Sequence, residues 1–185
     1  MTSAKYWWAH RKVLTYYKQA QPWTPALVDA VVESEPGRVV EFGCNAGRNL
    51  KAIRDRDPRI ELVGIDVNAA AVEWGRRNWG LDLRVGDERL LEPDSCDLAF
   101  TVSVIDHIPE PEAAIAAIVK AAPLVILVEP WLGREGHVES HNPYTYSWDY
   151  PARLRALGMS VTVRKFPLSD ASIGPEYRMF RAKRK

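Results

Sequence analysis

The sequence predicts a doubly wound α/β fold, in which a mostly parallel sheet of seven strands carries helices on both faces and the last strand runs antiparallel. Short apolar segments of strand length alternate with segments of helical periodicity along the 185 residues, a pattern typical of parallel sheets. The last two predicted strands, 160–166 and 176–182, have no helix between them, so we expect the final strand to be antiparallel to its neighbour. Hydrophobic residues make up 46% of the chain and charged residues 26%, the balance of one folded globular domain.

Two helices are predicted before the first strand. One lies at 6–18, and the other starts at the N-cap Thr24, where Pro25 suits the first helical position, and ends near residue 35. The first strand is a short apolar segment at 39–42. The remaining predicted helices are 48–55, 69–78, 111–121 and 150–157, and the remaining predicted strands are 60–65, 81–85, 96–102 and 124–128.

We expect a single domain over 1–185, in which a helical lid at 1–36 precedes the α/β core at 37–185. The longest stretch without clear periodicity is 131–148. Loops of this length in a compact domain are usually functional, which makes this stretch a candidate for ligand binding.

Charge and composition exclude several classes of function. The formal net charge is +1, so no overall field attracts the chain to nucleic acid or to a membrane, and the basic cluster at 181–185 is typical of a solvated terminus. No segment has the length of a signal peptide or a membrane span. The two cysteines, Cys44 and Cys96, form neither a disulfide framework nor a CxxC motif. We therefore expect a cytoplasmic protein.

The most informative stretch runs from Glu41 to Leu50, where a strand, a turn of small residues and a helix start follow one another. Gly43 and Gly47 allow a ligand to approach the backbone closely, and Asn45 tolerates positive φ better than most residues. The helix that follows presents its free N–H groups and its positive dipole end to the crevice. This pattern alone indicates a turn that binds a nucleotide-like ligand.

Acidic residues accompany three successive predicted strands. Asp66 ends the second strand about 20 residues beyond the turn, where a Rossmann-type fold places a carboxylate that accepts both ribose hydroxyls. Asp87 follows the third strand, where it can accept a hydrogen bond from an adenine amino group. Together with Glu41, these acids favour an adenosine group that carries positive charge over a pyrophosphate.

These residues resemble the class I S-adenosylmethionine-dependent methyltransferases of the small-molecule type, from about Val39 to the C-terminus. The first motif of that family reads acid-x-Gly-x-Gly-x-Gly, and this chain has Glu41, Gly43, Asn45 and Gly47 at those positions. Asparagine replaces the middle glycine, which is a mild departure because asparagine is the next most suitable residue for the required backbone.

The resemblance extends to later strands. Asp66 matches the ribose-binding acid of the family and Asp87 matches its adenine-contacting acid. Residues 97–108 look like its fourth strand and the turn that follows, and Glu129-Pro130 follows the fifth strand, as in many members. Each match is weak alone, but the set is specific jointly.

The resemblance implies an enzyme that binds S-adenosyl-L-methionine and transfers its methyl group to oxygen or nitrogen of a small-molecule acceptor. It implies that Glu41 and Gly43 line the methionine end and that 101–103 pass beneath the sulfonium. The implied cofactor-binding residues are Glu41, Gly43, Asn45, Gly47, Asp66, Val67, Asp87, Glu88, Thr101, Val102 and Ser103.

Structural roles and a different cofactor are alternatives to these assignments. Asp66 and Asp87 also suit helix or turn caps, and it is their common frame that favours ligand binding. NAD binding would require glycines where Asn45 and Arg48 stand, and the acid at position 41 would repel a pyrophosphate. We therefore prefer S-adenosylmethionine to NAD.

His107 is the candidate general base, because it follows the fourth strand near the expected position of an acceptor hydroxyl or amine. A role in packing or helix capping is equally compatible with its position. The neighbouring Asp106 is expected to cap the next helix.

No metal site is predicted. His137 and His141 have the i, i+4 spacing of a zinc-protease motif, but neither Val138 nor Ser140 is the glutamate that such motifs require. Residues 142–144 lack one proline of the motif of amino-methylating DNA enzymes and follow the fifth strand, so that function is rejected as well.

Aromatic residues cluster in two segments that both fall above the carboxyl ends of the strands in this fold. They form either a lid that excludes water and holds an aromatic, sugar or cationic acceptor, or ordinary packing on the sheet. Trp7 and Trp8 cannot share one helix face, so we expect one of them to face the site. The residues are Tyr6, Trp7, Trp8, Tyr16, Tyr17 and Trp23, then Trp131, Tyr144, Tyr146, Trp148 and Tyr150.

Two alternatives to a small-molecule methyltransferase stay open. A catalytically silent, cofactor-binding partner of a larger assembly is disfavoured because the acids and glycines of the site are intact. An aminopropyl transferase on the same fold would need several acids in its acceptor pocket, where this chain has mostly aromatic residues. Nucleic-acid and membrane partners are not expected, and the sequence does not define the oligomeric state.

Overall fold

The computed structural model describes residues 21–133, 135–137, 145–166 and 177–185. The helices are α1 (Thr24–Val32), α2 (Arg48–Arg56), α3 (Ala69–Trp79), α4 (Glu112–Ala121) and α5 (Tyr150–Ala156). The strands are β1 (Arg38–Phe42), β2 (Glu61–Asp66), β3 (Asp82–Val85), β4 (Leu98–Val102), β5 (Leu124–Pro130), β6 (Gly136–His137), β7 (Tyr146–Ser147), β8 (Met159–Lys165) and β9 (Tyr177–Arg184). Short 3-10 helices occur at Glu88–Leu90 and Ile105–His107.

The predicted helix at 6–18 lies outside the described residues, and every other predicted helix and strand is present with ends that shift by a few residues. Sequence patterns missed the two-residue strands β6 and β7, which pair within the stretch 131–148. Thr24 is not the N-cap of α1: that position belongs to Trp23, and the Thr24 hydroxyl instead accepts a hydrogen bond from the Gln21 N–H at 3.1 Å.

Seven strands form one sheet in the order β3-β2-β1-β4-β5-β9-β8. The pairs among β1 to β5 are parallel, and β9 runs antiparallel to both β5 and β8, so six strands share one direction. This confirms the predicted fold class. Because β3, β2, β1 and β4 are adjacent and parallel, their carboxyl ends are neighbours at one end of the sheet.

Two apolar layers cover the sheet, one on each face. Helices α1, α2 and α3 lie on one face, where Leu27, Leu50 and Val72 are fully buried, and α4 and α5 lie on the other, with Ile115 and Leu154. Strands of the sheet centre therefore meet apolar side chains on both faces, which explains the continuous apolar sequence of β5. Cys44 and Cys96 are both buried and free. Among the described helices, none has the length and apolar character to cross a membrane.

Helix α3 packs very closely on the turn that follows β1. A Cβ atom on Gly75 would lie 2.2 Å from the Ala46 carbonyl oxygen and 2.5 Å from Leu83 Cδ1. Because Gly75 has no Cβ atom, the helix can approach the turn this closely.

We predict that Gly75→Ala destabilises the protein by about 1–3 kcal/mol because of this overlap, although alanine favours a helix by about 1 kcal/mol. Urea unfolding measures the change. Arg77→Ala, on the exposed side of the same helix, serves as control and should shift the free energy of unfolding by less than about 0.5 kcal/mol. A variant as stable as the wild type would mean that the helix is not held against the turn.

Candidate cofactor and acceptor site

The turn after β1 requires left-handed backbone at three alternate residues. The φ angles are +75° at Gly43, +52° at Asn45 and +80° at Gly47. A Cβ on Gly43 would also lie 2.2 Å from a methyl group of Val104. Asn45, which replaces the middle glycine of the motif, therefore adopts the left-handed backbone that its residue type was expected to tolerate. The first helical amide groups of α2 have no side-chain cap, so the turn presents donors at the carboxyl end of the sheet.

Asp66 fixes the shape of this turn from the neighbouring strand. Its Oδ2 accepts a hydrogen bond from the Asn45 N–H at 2.7 Å, and its Oδ1 accepts one from the Asn68 N–H at 2.7 Å. Burial raises the pKa of this carboxyl. Each oxygen keeps a second lone pair, so the carboxylate can hold the turn and still accept two ribose hydroxyls. The capping and ligand-binding interpretations are therefore compatible.

Asp87 lies after β3 and is less available than its sequence position suggests. Its carboxylate accepts two hydrogen bonds from the Arg89 guanidinium, at 2.9 and 2.7 Å, and this pairing lowers its pKa. It also accepts the Arg89 N–H at the start of the 3-10 helix whose first residue is Glu88. An adenine amino group would share Asp87 with Arg89.

Exposed apolar side chains flank these two acids. Val67 follows Asp66 directly, and Val85, the strand partner of Asp66, precedes Asp87 by two residues. Leu90 ends the 3-10 helix, and all three apolar side chains are exposed. Sequence reasoning named Val67 but missed Val85 and Leu90, whose exposure no sequence pattern signals. Such a surface suits the faces of a purine ring.

Glu41 is buried in the middle of the sheet beneath the turn, with 1% of its surface exposed. Its Oε1 accepts a hydrogen bond from Asn49 Nδ2 at 2.7 Å, a partner that sequence reasoning missed. Among the described residues, Oε2 has no hydrogen-bond partner. Burial raises the pKa of Glu41 to about 8. The charge argument against a pyrophosphate is therefore weak, whereas Arg48 still stands where a dinucleotide fingerprint needs glycine.

The end of β4 meets the site mainly through Ser103, the residue that follows the strand. Thr101 is fully buried, and its hydroxyl donates to Glu129 Oε1 at 2.9 Å; Val102 is buried as well. Ser103 is half-buried and has φ of +51°, and its Oγ lies 2.9 Å from the Tyr177 hydroxyl. Thr101 can line the site only through its backbone, and Ser103 is the residue of this strand end whose side chain reaches the edge.

Glu129 anchors the turn after β4. Its carboxylate accepts N–H groups from Val104, Ile105 and Asp106, each at 3.2 Å. The sequence offered Glu129 only as a family match, because its partners lie on a strand that is distant along the chain. This carboxylate thus determines where the 3-10 helix bearing His107 stands.

The expectation that Asp106 caps the following helix is wrong. Its side chain is fully buried inside the turn, and the N-cap of α4 is Pro111, without a side-chain hydrogen bond. His107 ends the 3-10 helix at the carboxyl edge of the sheet, with 13% of its side chain exposed. Its Nε2 lies 3.6 Å from Asp106 Oδ2.

Aromatic side chains from distant parts of the chain close around this turn. Trp23 stacks on Tyr177 with ring centroids 5.0 Å apart. Trp148 donates from Nε1 to the Ile105 carbonyl at 3.2 Å and stacks on Tyr146. Tyr150 is instead a fully buried core residue, which is the packing role, whereas the lid role of the other aromatic residues stays a prediction.

Several predicted features cannot be placed. Tyr6, Trp7, Trp8, Tyr16, Tyr17, His141 and the segment 142–144 lie outside the described residues. His137 is in β6. Within the described ranges, no three histidine, cysteine or acidic side chains are grouped to hold a metal ion.

Comparison with known proteins relates part of the chain to a family model. Residues 40–122, which run from β1 through α4, match the family model described as methyltransferase domain. No protein with a curated description matches the chain.

Solved structures extend the likeness to the whole fold. The methyltransferase domain of bacterial CtHen1-C has a TM-score of 0.70 and 16% identity, over 87% of this chain and 96% of that one. The 1,6-didemethyltoxoflavin-N1-methyltransferase of Burkholderia thailandensis, solved with 1,6-didemethyltoxoflavin and S-adenosylhomocysteine, has a TM-score of 0.68 and 16% identity, over 91% and 79%. An O-methyltransferase family protein of Burkholderia thailandensis has a TM-score of 0.65 and 13% identity, over 88% and 56%.

Residues 40–122 thus match a methyltransferase domain, and the chain has the fold of the solved methyltransferases. The predicted resemblance and the predicted fold class are confirmed, and the likeness supports S-adenosylmethionine as the cofactor. The site residues fit that cofactor, because a buried Glu41 oxygen without a partner and spare lone pairs on Asp66 meet a close-approach turn at one edge.

We predict that Glu41→Gln changes the pH dependence of stability. The folded-state pKa of Glu41, about 8, lies above its ordinary value of 4.5, so between these values the folded protein holds a proton that the unfolded chain has lost. Wild-type stability therefore falls as pH rises through this window, and the variant avoids that loss. Denaturant unfolding at about pH 5 and about pH 7.5 should show the variant gaining on the wild type by roughly 1 kcal/mol per pH unit.

Glu73→Gln is the matched control for that measurement, because Glu73 is an exposed carboxylate paired with Arg77 on α3. Its pH dependence should parallel that of the wild type. If Glu41→Gln also paralleled the wild type, Glu41 would be ionised in the folded protein.

Proposed function

We propose that the protein transfers the methyl group of S-adenosylmethionine to an oxygen or nitrogen atom of a small-molecule acceptor. The observation that carries the proposal is the placement of Glu41, Asp66 and Asp87 at the ends of three adjacent parallel strands, beside the turn that bears His107. This arrangement provides one half-site for a cationic adenosine derivative and one for an acceptor.

The cofactor half-site assigns a role to each group. Asp66 accepts the ribose hydroxyls, Asp87 accepts the adenine amino group, and the exposed valines at 67 and 85 contact the purine faces. Glu41 and the Gly43 backbone line the methionine end. Glu88, Thr101, Val102 and Ser103 complete the lining through the segments that follow β3 and end β4.

When bound, S-adenosylmethionine supplies an electrophilic methyl carbon, so the protein needs chiefly to orient the acceptor and to keep water out. Trp23 and Trp148 border the acceptor half-site, and the stacking of Trp23 on Tyr177 supports a lid role for residues 1–36. His107 accepts the proton of an acceptor hydroxyl or amine as the new bond forms.

The choice of a small-molecule acceptor is supported by charge and by relatives. The formal net charge is +1, which provides no polyanion-binding field. One structural neighbour is an N1-methyltransferase solved with its small-molecule ligand, and another is an O-methyltransferase family protein. An aminopropyl transferase needs acids open to a polyamine, whereas Asp106 and Glu129 are fully buried and bonded within the turn.

We predict that Asp66→Ala weakens binding of S-adenosylmethionine by about 1.5–3 kcal/mol, roughly ten- to a hundredfold, because the ribose hydroxyls lose their acceptors. Isothermal titration calorimetry with S-adenosylmethionine, S-adenosylhomocysteine and NAD gives the measurement. Asp82→Ala is the control, because this exposed carboxylate lies at the start of β3, away from the candidate site, and pairs with Arg84. Equal affinity in both variants would show that Asp66 does not contact the ribose.

We predict that His107→Gln lowers kcat by about a hundredfold or more for a phenolic or amine acceptor, with unchanged affinity for S-adenosylmethionine. Acceptors come from a screen of sugars, phenols and amines with radiolabelled cofactor. Glu110→Gln, an exposed change in the same segment, controls for local disturbance. Full activity of His107→Gln would assign His107 to packing.

A further inference from the structure

The turn that bears His107 encloses two buried carboxyl groups. Asp106 and Glu129 are each 0% exposed. Among the residues that the structure describes, the basic side chain in contact with the pair is His107, whose Nε2 lies 3.6 Å from Asp106 Oδ2. Two adjacent buried carboxylates repel each other and have lost the solvation of water, so both cannot stay ionised.

Hydrogen bonding decides which of the two carries the charge. Glu129 accepts from the Thr101 hydroxyl and from three backbone N–H groups, which stabilise a carboxylate. Asp106 Oδ2 accepts from the Ser103 hydroxyl at 3.3 Å, and no described donor reaches its Oδ1. Burial and the neighbouring Glu129 raise the pKa of Asp106 well above its ordinary range. Burial raises the pKa of Glu129 as well, but its four donors favour the charged form there, so we assign the one proton of the pair to Asp106 and the negative charge to Glu129.

The pair also contacts the imidazole. Asp106 Oδ2 lies 3.6 Å from His107 Nε2, and the Glu129 carboxylate holds the backbone of the same 3-10 helix. Other titratable or charged groups face this region from the elements packed on it: Tyr146 of β7, Tyr150 and Arg153 of α5, and Tyr177 of β9. Arg153 pairs with Glu112 and Glu135 rather than with the buried carboxyls.

We propose that Asp106 and Glu129 act as one buried anion that positions His107 and stabilises its protonated form during methyl transfer. The inference rests on the general-base role in the proposed function. In that step the acceptor atom forms a bond to the methyl carbon, the sulfur–carbon bond breaks with its electrons left on sulfur, and the acceptor proton passes to His107. The imidazolium then lies beside the carboxyl pair, which carries one negative charge and keeps its single proton. The imidazolium later releases the acceptor proton to water.

The experiment follows the titration of His107 in the full-length protein by NMR, without cofactor or acceptor. The chain has four histidines, and His107→Gln identifies the resonance by its loss. In Glu129→Gln, the negative charge of the pair is gone, and Asp106 keeps its proton because burial, the main cause of its raised pKa, is unchanged. The pKa of His107 should therefore fall in Glu129→Gln and should not fall in Asp106→Asn, where Glu129 keeps its charge. Glu110→Gln, an exposed acid, should leave it unchanged.

The direction of the change in Glu129→Gln decides the proposal. An unchanged or raised pKa in Glu129→Gln would mean that the charge on Glu129 does not stabilise the imidazolium, and a lowered pKa in Asp106→Asn would mean that both carboxyls are charged and act separately. Any of these results overturns the proposal. Because the titration uses no cofactor, a protein that failed to bind S-adenosylmethionine would refute the proposed function and leave this result to be judged alone.

A second measurement covers the case in which Glu129→Gln does not fold. Infrared spectroscopy near neutral pH detects the carbonyl stretch of a protonated carboxyl group. The difference spectrum between wild type and Asp106→Asn should contain such a band, whereas the band of Glu41 cancels and Glu110→Gln gives none. Absence of the Asp106 band would show that the pair holds no proton and would overturn the proposal.

Discussion

The hydrogen bond from the Asn45 N–H to the Asp66 carboxylate is the constraint on which the cofactor edge depends. A turn with left-handed backbone at three of five residues has little intrinsic stability, and here a neighbouring strand provides the acceptors that its N–H groups need. The Ile65 carbonyl accepts hydrogen bonds from the N–H groups of Gly43 and Cys44. The other carboxylate oxygen of Asp66 accepts the N–H of Asn68, which is the N-cap of α3. Asp66, the proposed ribose-binding acid, and the close-approach turn are therefore one structural unit.

The buried acids of the site are costly, and their hydrogen bonds show how the protein carries them. Removing a carboxylate from water costs several kcal/mol unless donors replace the solvent. Glu129 receives four donors, whereas Glu41 receives one strong donor and Asp106 receives one. Burial raises the pKa of all three carboxyl groups. Strongly perturbed acids gathered at one edge of a sheet mark a candidate functional site.

The sequence predicted the layers of this fold because apolar periodicity reports burial directly. It also predicted the turn and Asp66, since both depend on residues close together along the chain. The predicted capping role of Asp106 was wrong because the turn that buries it is held by Glu129 of β5 and contacts Tyr177 of β9, both distant along the chain. The Arg89 partner of Asp87 and the strands β6 and β7 were missed because an exposed ion pair and a two-residue strand have no periodic signature.

The same distinction separates the two halves of the site. The cofactor half is built from β1, β2, β3 and the turns that directly follow them, so local sequence determines it. The acceptor half combines the turn after β4 with Trp23, Trp148 and Tyr177, and Tyr177 reaches it because β9 runs antiparallel and begins at the carboxyl edge of the sheet. Loops and strand ends of this kind can change without disturbing the sheet, whereas changes in the cofactor half would alter the turn itself. The identity of the acceptor must therefore be determined by side chains outside the family motif.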